Sequence, residues 1–545
     1  MLGGMQHWPL LVWKLIDHAS DNHGTREIVS LTCEGTQHRT NWAEVRDRSL
    51  KVAQALTGLG IQQGDRVATL AWNTHRHVEC WYGISGMGAV AHTVNPRLFE
   101  DQIVYIMNHA GDKALFFDLT FAPMVEKIAP RLETVEHFVL MTDEAHMPAD
   151  SALDLICYET LLGEQSGDFH WAEVEESAPA GLCYTSGTTG NPKGVLYSHR
   201  SNVLHTFGAV SKDALSLGSK DTVMPVVPMY HANAWGVPYA AAAVGSKLVM
   251  AGPHFDPETL HGLLAKEKVT ATLAVPTIWL GMLQYLEKTA KDLGELKNVV
   301  IGGSACPRSM IVDFKKKYDV DVFHAWGMTE MSPLGTVGTL SASAQDMSED
   351  EQFDLKTKQG RAIFGVEMKI TDDDGNDLPR DGKAFGHLMV RGPWIVEQYF
   401  GGDGGMILDE DGWFDTGDVA TIDPEGYMQI TDRSKDVIKS GGEWISSIEL
   451  ENEAVGAEGV AEAAVIGLPH PKWDERPLLV IVPKEGARPT KEAILSHLQG
   501  RIAKWWMPDD VVFVEEIPHT ATGKIQKTTL REQFRDYTLP TAEAA

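Results

Sequence analysis

Paired cysteines are missing from this chain of 545 residues: Cys33, Cys80, Cys157, Cys183 and Cys306 are odd in number, widely spaced and without metal-ligand spacing. That excludes a disulfide scaffold and a thiolate metal centre, predicts reduced thiols in a cytoplasmic protein, and offers no good cysteine nucleophile. A membrane span is missing too. The longest apolar stretches, Val237–Val244 and Leu273–Leu283, are too short to cross a bilayer, and Gly245, Lys247 or Pro276 interrupts them. The opening residues, Met1–Pro9, lack the basic start and continuous apolar core of an export signal, so export is not expected. Leu10–Ile16 reads instead as a short amphipathic helix. Basic charge is scarce: 47 Lys and Arg face 76 Asp and Glu, a formal charge of −29. Nucleic acid and anionic membranes are therefore disfavoured partners, and any phosphate ligand must meet a local basic site. No internal repeat or low-complexity tract is present.

What is there is enough apolar residue, 43% of the chain, to fill at least two domain cores. Helix-period segments such as Trp42–Leu59 and Glu258–Glu267 alternate with short apolar runs such as Arg66–Trp72, Lys113–Phe117 and Asn298–Gly302. That alternation predicts layered α/β architecture with parallel sheets. The acidic run Met347–Asp354 reads as a solvated helix face. After about residue 365, turns at Asp373–Asn376, Asp411–Trp413 and Pro424–Gly426 punctuate short strands and predict a smaller β-rich subdomain. The charged segment Thr431–Asp436 then opens a final α+β unit of about a hundred residues.

The densest signal is Tyr184-Thr-Ser-Gly-Thr-Thr-Gly-Asn-Pro-Lys-Gly-Val195. Gly187, Gly190 and Gly194 allow close approach to an anion, Thr185, Ser186, Thr188 and Thr189 add hydroxyl donors, and Lys193 adds a positive charge. With Pro192 before the lysine and Gly194 after it, this is not a Walker A loop. The apolar flanks Ala180–Leu182 and Val195–Tyr197 favour a strand, a phosphate-gripping turn and a second strand over a flexible linker. Four further stretches carry chemistry. In His324-Ala-Trp-Gly-Met-Thr-Glu330 an aromatic ring precedes Thr329, and Glu330 suits Mg²⁺ held beside phosphates, although a buried strand-turn-helix has the same wording. Asp415-Thr-Gly-Asp418 supplies a carboxylate able to accept two ribose hydroxyls, or is an ordinary Asp-Gly turn. Arg433 and Lys435 precede the glycine-rich Gly441-Gly-Glu-Trp-Ile-Ser446, and Lys524 stands in a turn near the C-terminus, which taken alone is a catalyst or a solvated loop.

In this order and spacing the set resembles the adenylate-forming superfamily of acyl-CoA synthetases, peptide-synthetase adenylation domains and firefly luciferase, over essentially the whole chain. The resemblance implies an α/β fold: a large multi-subdomain N-terminal adenylation domain (residues 1–431), a hinge (432–436) and a small mobile α+β C-terminal lid (437–545). It implies ATP, Mg²⁺ and coenzyme A as cofactors, a carboxylic acid as substrate, and a homodimer. By residue, it implies that Thr185, Ser186, Gly187, Thr188, Thr189, Gly190 and Lys193 hold phosphates. Gly302, Gly303, Ser304 and Ala305, with His324, Ala325, Trp326, Gly327 and Met328, frame the adenine. Thr329 and Glu330 manage phosphate and metal, Thr185 shares the metal, and Asp418 and Arg433 hold the ribose. Lys524 bridges the carboxylate and the α-phosphate, Lys435 is the pivot, and Gly441, Gly442, Glu443 and Trp444 meet the pantetheine arm. Trp326 departs from the family's usual tyrosine: the indole still stacks, but the phenol's hydrogen bond is expected to be lost. The acid is expected near Pro228–Gly236, with His231, Trp235, Gly302 and Pro333 lining its pocket, or with His231 and Trp235 simply packed in a core. The wording of these stretches looks like the bacterial fatty acyl-CoA synthetase branch and implies a short acid, 3-methylmercaptopropionate first. A medium- or long-chain fatty acid is the alternative, and carrier-protein loading or luciferase-like oxygenation are more distant ones.

Overall fold

A computed structural model describes residues 3–185, 191–441, 443–519 and 525–543, without the side chains of Glu443, Trp444 and Glu543. Two large sheets organise the N-terminal body. The first runs Leu155–Cys157, His137–Leu140, Asp112–Phe117, Arg66–Leu70, Val90–Thr93, Pro179–Tyr184 and Gly194–Ser198, parallel throughout except for the last pair. The second has nine strands, with a parallel centre from Asp321–Gly327 through Asn298–Ile301, Ala271–Ala274, Thr222–Pro225 and Lys247–Met250 to Glu27–Leu31, and antiparallel pairs at both ends.

Strand alternation places these sheets. In Asp112–Phe117, Ala114 and Phe116 join the main core while Leu115 and Phe117 face a second one. In Asn298–Ile301, Val300 joins the main core while Val299 and Ile301 face a third. Both faces of each sheet are thus apolar, as parallel strands covered by helices require. The main core fills the space between the sheets and holds Trp42, Trp81, Tyr82 and Tyr239, with Trp81 and Tyr82 ring centroids 5.4 and 5.6 Å from Tyr239. Helix Trp42–Gly58 starts where the Asn41 side chain accepts a hydrogen bond from the Glu44 N–H at 2.9 Å, a satisfied N-cap. The first helix begins at Trp13, three residues later than the Leu10–Ile16 pattern suggests, with Val12 (φ −57°, ψ −38°) as its N-cap and both Leu11 and Val12 buried.

Strands Glu367–Thr371, Phe385–Arg391, Phe414–Ile422 and Met428–Arg433 form an antiparallel sheet, the β-rich unit expected after residue 365. Beyond it, Ile438–Ser440, Glu443–Ile445, Val460–His470, Asp474–Pro483 and Asp510–Phe513 make a five-stranded sheet with its own apolar clusters. The fold is therefore a large α/β body followed by a small α+β unit. Helix Glu349–Lys356 carries the acidic run, capped by Ser348 and Glu351. Among the described residues no helix is long and apolar enough to cross a membrane.

Candidate active site

The hydroxyl- and glycine-rich turn is closed at its base. Strands Pro179–Tyr184 and Gly194–Ser198 pair antiparallel with Tyr184 opposite Gly194. The Thr185 N–H donates to the Lys193 carbonyl at 2.9 Å, and the Lys193 N–H returns a bond to Thr185 Oγ1 at 3.1 Å. Ser186, Gly187, Thr188, Thr189 and Gly190 lie outside the described residues. At the end of the turn, Lys193 Nζ sits 4.8 Å from the centre of the Tyr399 ring, and Tyr399 Oη donates to Glu330 Oε1 at 2.8 Å. One phenol thus spaces a cation from a carboxylate instead of letting them neutralise each other. Burial, then the Glu330 charge, pushes the Tyr399 hydroxyl's pKa upward, so it stays a donor. Glu330 and Thr329, each under 9% exposed, occupy the turn Thr329–Met331, held from the second strand by the Tyr197 hydroxyl bonded to the Thr329 carbonyl at 2.7 Å. The roles of Tyr399 and Tyr197 escaped the sequence reading, because a lone tyrosine carries no pattern that names its partner.

A second cluster gathers on the strands that follow. Trp326 Nε1 donates to Asp418 Oδ2 at 2.9 Å, and Arg433 Nε pairs with Asp418 Oδ1 at 2.9 Å, across a strand register that sets Asp418 opposite Arg433. The indole at this position supplies a hydrogen-bond donor of its own. Gly417, at φ 69°, turns the chain so that the Asp418 N–H reaches Thr416 Oγ1 at 3.1 Å. Glycine at 335 lets the Trp326 ring lie close, since a Cβ there would stand 2.7 Å from it. Gly302 and Gly303 follow strand Asn298–Ile301, with Ser304 and Ala305 in the same turn. A Cβ on Gly302 would meet the Ala325 carbonyl at 2.8 Å and the Trp235 ring at 3.1 Å. His324 is buried and bonded to the Thr357 carbonyl at 2.8 Å, and burial lowers its pKa to about 4, so it packs as a neutral ring. Gly327 allows the Pro333 carbonyl to accept from the Met328 N–H at 3.0 Å.

The third cluster surrounds the loop Pro228–Gly236. Asn73 staples its approach, its amide donating to the Pro225 and Val227 carbonyls, both at 2.9 Å, and its oxygen accepting from the Met229 N–H at 2.6 Å. Ala232, Asn233, Ala234, Trp235 and Gly236 then form a left-handed turn, with φ of 43°, 54°, 47°, 54° and 76°. Left-handed backbone costs about 1–2 kcal/mol per non-glycine residue, so the surrounding packing must hold it. His205 is part of that packing. Its Nε2 accepts from the Leu334 N–H at 3.1 Å, next to the cis Ser332–Pro333 bond, and a Cβ on Gly236 would stand 2.7 Å from its ring. Burial takes its pKa down to about 3. His231 is half-buried at the start of the turn.

Lys435 is exposed in the turn 434–436 that follows strand Met428–Arg433. Beside it, buried Asp432 accepts from the Ser447 N–H at 2.8 Å, Lys527 Nζ pairs with Glu451 at 2.8 Å, and Arg531 pairs with Asp436 at 2.7 Å. Gly441, at φ 62°, packs its backbone on Trp473. Lys524, Gly442 and the side chains of Glu443 and Trp444 fall outside the described residues. Among the described residues no cluster of three or more His, Cys, Asp or Glu side chains suits a metal. A single buried carboxylate at Glu330 matches Mg²⁺, which binds through one or two carboxylates together with substrate phosphates.

The AMP-binding enzyme family model matches residues 16–400, and the model of that family's C-terminal domain matches residues 449–524. The 3-methylmercaptopropionyl-CoA ligase of Ruegeria pomeroyi is 54% identical over 536 residues, covering 98% of this chain and 99% of its own. The medium-chain-fatty-acid–CoA ligase of Ectopseudomonas oleovorans is 48% identical over 539 residues, covering 99% and 98%. The crystal structure of the anthranilate CoA ligase AuaEII with anthranoyl-AMP superposes with a TM-score of 0.86 over 98% of this chain and 99% of that one, at 24% identity, which speaks for the fold. With both family models matched in order and relatives aligned end to end, the chain belongs to the AMP-binding enzyme family, the adenylate-forming ligases.

Proposed function

We propose that the chain is an ATP-dependent carboxylate–CoA ligase that takes a short acid, 3-methylmercaptopropionate first and butyrate-like acids close behind. A carboxylate is a poor electrophile, so its oxygen attacks the α-phosphorus of ATP, pyrophosphate leaves, and the acyl-adenylate then loses AMP to the thiolate of CoA. The residues divide the work. The turn Thr185–Lys193 grips phosphate oxygens, Lys193 lending charge while Tyr399 keeps Glu330 apart from it. Thr185 and Glu330 would hold Mg²⁺, which supplies charge neutralisation at the phosphates. Asp418 and Arg433 hold the ribose. The loops Gly302–Ala305 and His324–Met328, with the Trp326 face, receive the adenine. His231 orders the acid, while Trp235, Gly302 and Pro333 bound it. Lys524 brings its ammonium between the two anions, and a lid turning at Lys435 exchanges it for the loop Gly441–Trp444, which meets the pantetheine arm. A cytoplasmic homodimer belongs to the same reading: the five free cysteines fit a reducing compartment, and light scattering checks the dimer.

The observation that supports the choice of acid is the Trp235 indole lying against Gly302, 3.1 Å from where a Cβ would be; its bulk beside His231 would fill space that a long chain needs. Each methylene buried in a fitting tunnel contributes about 0.8 kcal/mol, so a long-chain enzyme gains steadily in kcat/KM as the acid lengthens. A short pocket peaks and then falls. Pyrophosphate release from acetate to palmitate and from 3-methylmercaptopropionate, with and without CoA and with Trp235→Ala, tests this. A rise through palmitate in the unmodified enzyme replaces the short-acid reading by the fatty-acid one, which the 48% identical medium-chain relative favours.

A further inference from the structure

We infer that Trp326 positions the ribose as well as meeting the base: its indole N–H fixes the Asp418 carboxylate, so that replacing the N–H weakens recognition of the sugar hydroxyls specifically. The inference rests on the nucleotide reading above. Asp418 is 2% exposed and Trp326 9%, and the indole N–H of one points at Oδ2 of the other across 2.9 Å. Arg433 takes Oδ1 at the same distance. A carboxylate offers about four acceptor sites, so one lone pair on each oxygen remains for a vicinal diol. The torsion that orients a carboxylate is soft and does not hold it in plane by itself. Two donors at fixed places do hold it, and they differ in kind. The Arg433 side chain is 40% exposed, whereas the indole is buried against Gly335, where even a methyl would collide. An indole N–H donates only, so it keeps Asp418 an acceptor towards both hydroxyls, a constraint that a phenol, able to accept as well as donate, does not impose.

The test reads binding, not turnover. Calorimetric titration of the full-length protein with AMP and with 2′,3′-dideoxy-AMP gives the sugar preference as a ratio of affinities. That ratio is expected to be about tenfold or more, since hydrogen bonds to an ionised group are among the strong ones. Trp326→Phe keeps a ring for the base and removes the N–H. It should weaken AMP and leave dideoxy-AMP nearly unchanged, shrinking the preference at least fivefold. Trp326→3-benzothienylalanine, introduced at that codon alone, keeps the full bicyclic shape with sulfur in place of N–H and must give the same shrinkage, which covers failure of the phenylalanine variant to fold. An unchanged preference in a folded variant overturns the inference and leaves the nucleotide reading intact. A wild-type protein that binds both nucleotides equally also overturns it. A wild-type protein that binds neither overturns the nucleotide reading itself.

Discussion

Tyr399 stands between Lys193 and Glu330, its ring under the ammonium and its hydroxyl on the carboxylate, and so links the end of the phosphate turn to the acidic turn after Gly327. Tyr399→Phe keeps the ring under the ammonium and removes a hydrogen bond to a buried carboxylate, worth about 1.5–3 kcal/mol. Pyrophosphate release should fall roughly ten- to hundredfold in kcat/KM, measured where the variant is still fully folded although its unfolding midpoint is lower; equal activity would take Tyr399 out of the site. Lys524→Ala should abolish adenylation, a loss of 10²–10³-fold or more, yet leave thioester formation from preformed acyl-adenylate largely intact, and equal loss of both half-reactions would contradict its role. His205 gives a pH test. Its folded pKa, about 3, lies below the ordinary value of 6.5, so its contribution to stability is present above pH 6.5 and is lost as pH falls towards 3. His205→Gln, whose amide oxygen accepts from the Leu334 N–H, removes that dependence. The stability gap between the two proteins should therefore close by about 1.4 kcal/mol per pH unit below pH 6.5, measured by urea unfolding at pH 7.5, 6 and 5. At this scale the sequence announced the residues that travel in motifs, Thr185, Lys193, Glu330 and Asp418. Tyr399, Tyr197 and His205 stayed hidden because their role depends on a partner far along the chain: His205 sits unremarked inside helix His199–Ala209 and meets Leu334 only in three dimensions.

Among the elements, strands were the legible part. Alternating apolar residues in Asp112–Phe117 and Asn298–Ile301 must serve two cores at once, and the sequence shows this as uninterrupted apolarity. The left-handed turn 232–236 was invisible for the converse reason. Ala-Asn-Ala-Trp has no glycine before Gly236, and only tertiary packing overrides the local preference for right-handed backbone. Gly236→Ala tests how tightly that packing holds. A methyl at φ 76° and 2.7 Å from the His205 ring should lower the unfolding midpoint, at a cost of about 1–3 kcal/mol, and move Trp235, flattening the dependence of kcat/KM on acid length. An unaltered acid profile would separate the turn from selectivity.

At the scale of the whole molecule, the strand Met428–Arg433 ends one sheet, and five residues later Ile438–Ser440 joins another, so the chain between them bears the relation of body to C-terminal unit. Lys435→Pro fixes φ near −65° in that connection and should preserve one half-reaction while blocking the other, read by pyrophosphate release and by thioester formation from preformed acyl-adenylate; full activity in both would remove Lys435 from the pivot. The division into body and small C-terminal unit was readable from the charged segment Thr431–Asp436 and the α+β patterning that follows it. The order of strands within a sheet was not, since register is set by partners distant in sequence. The nine-stranded sheet has a consequence in time. Strand Glu27–Leu31 pairs with Lys247–Met250, and the ion pair of Lys247 with Glu27 spans 220 residues. At about 5–20 residues per second of synthesis, the first strand of the chain waits roughly 10–45 s for its parallel neighbour to be made. Until then only Gln37–Asn41 covers one of its edges, and the other is an open template for a neighbouring nascent chain, so this protein's yield should hinge on how early chains are shielded on the ribosome.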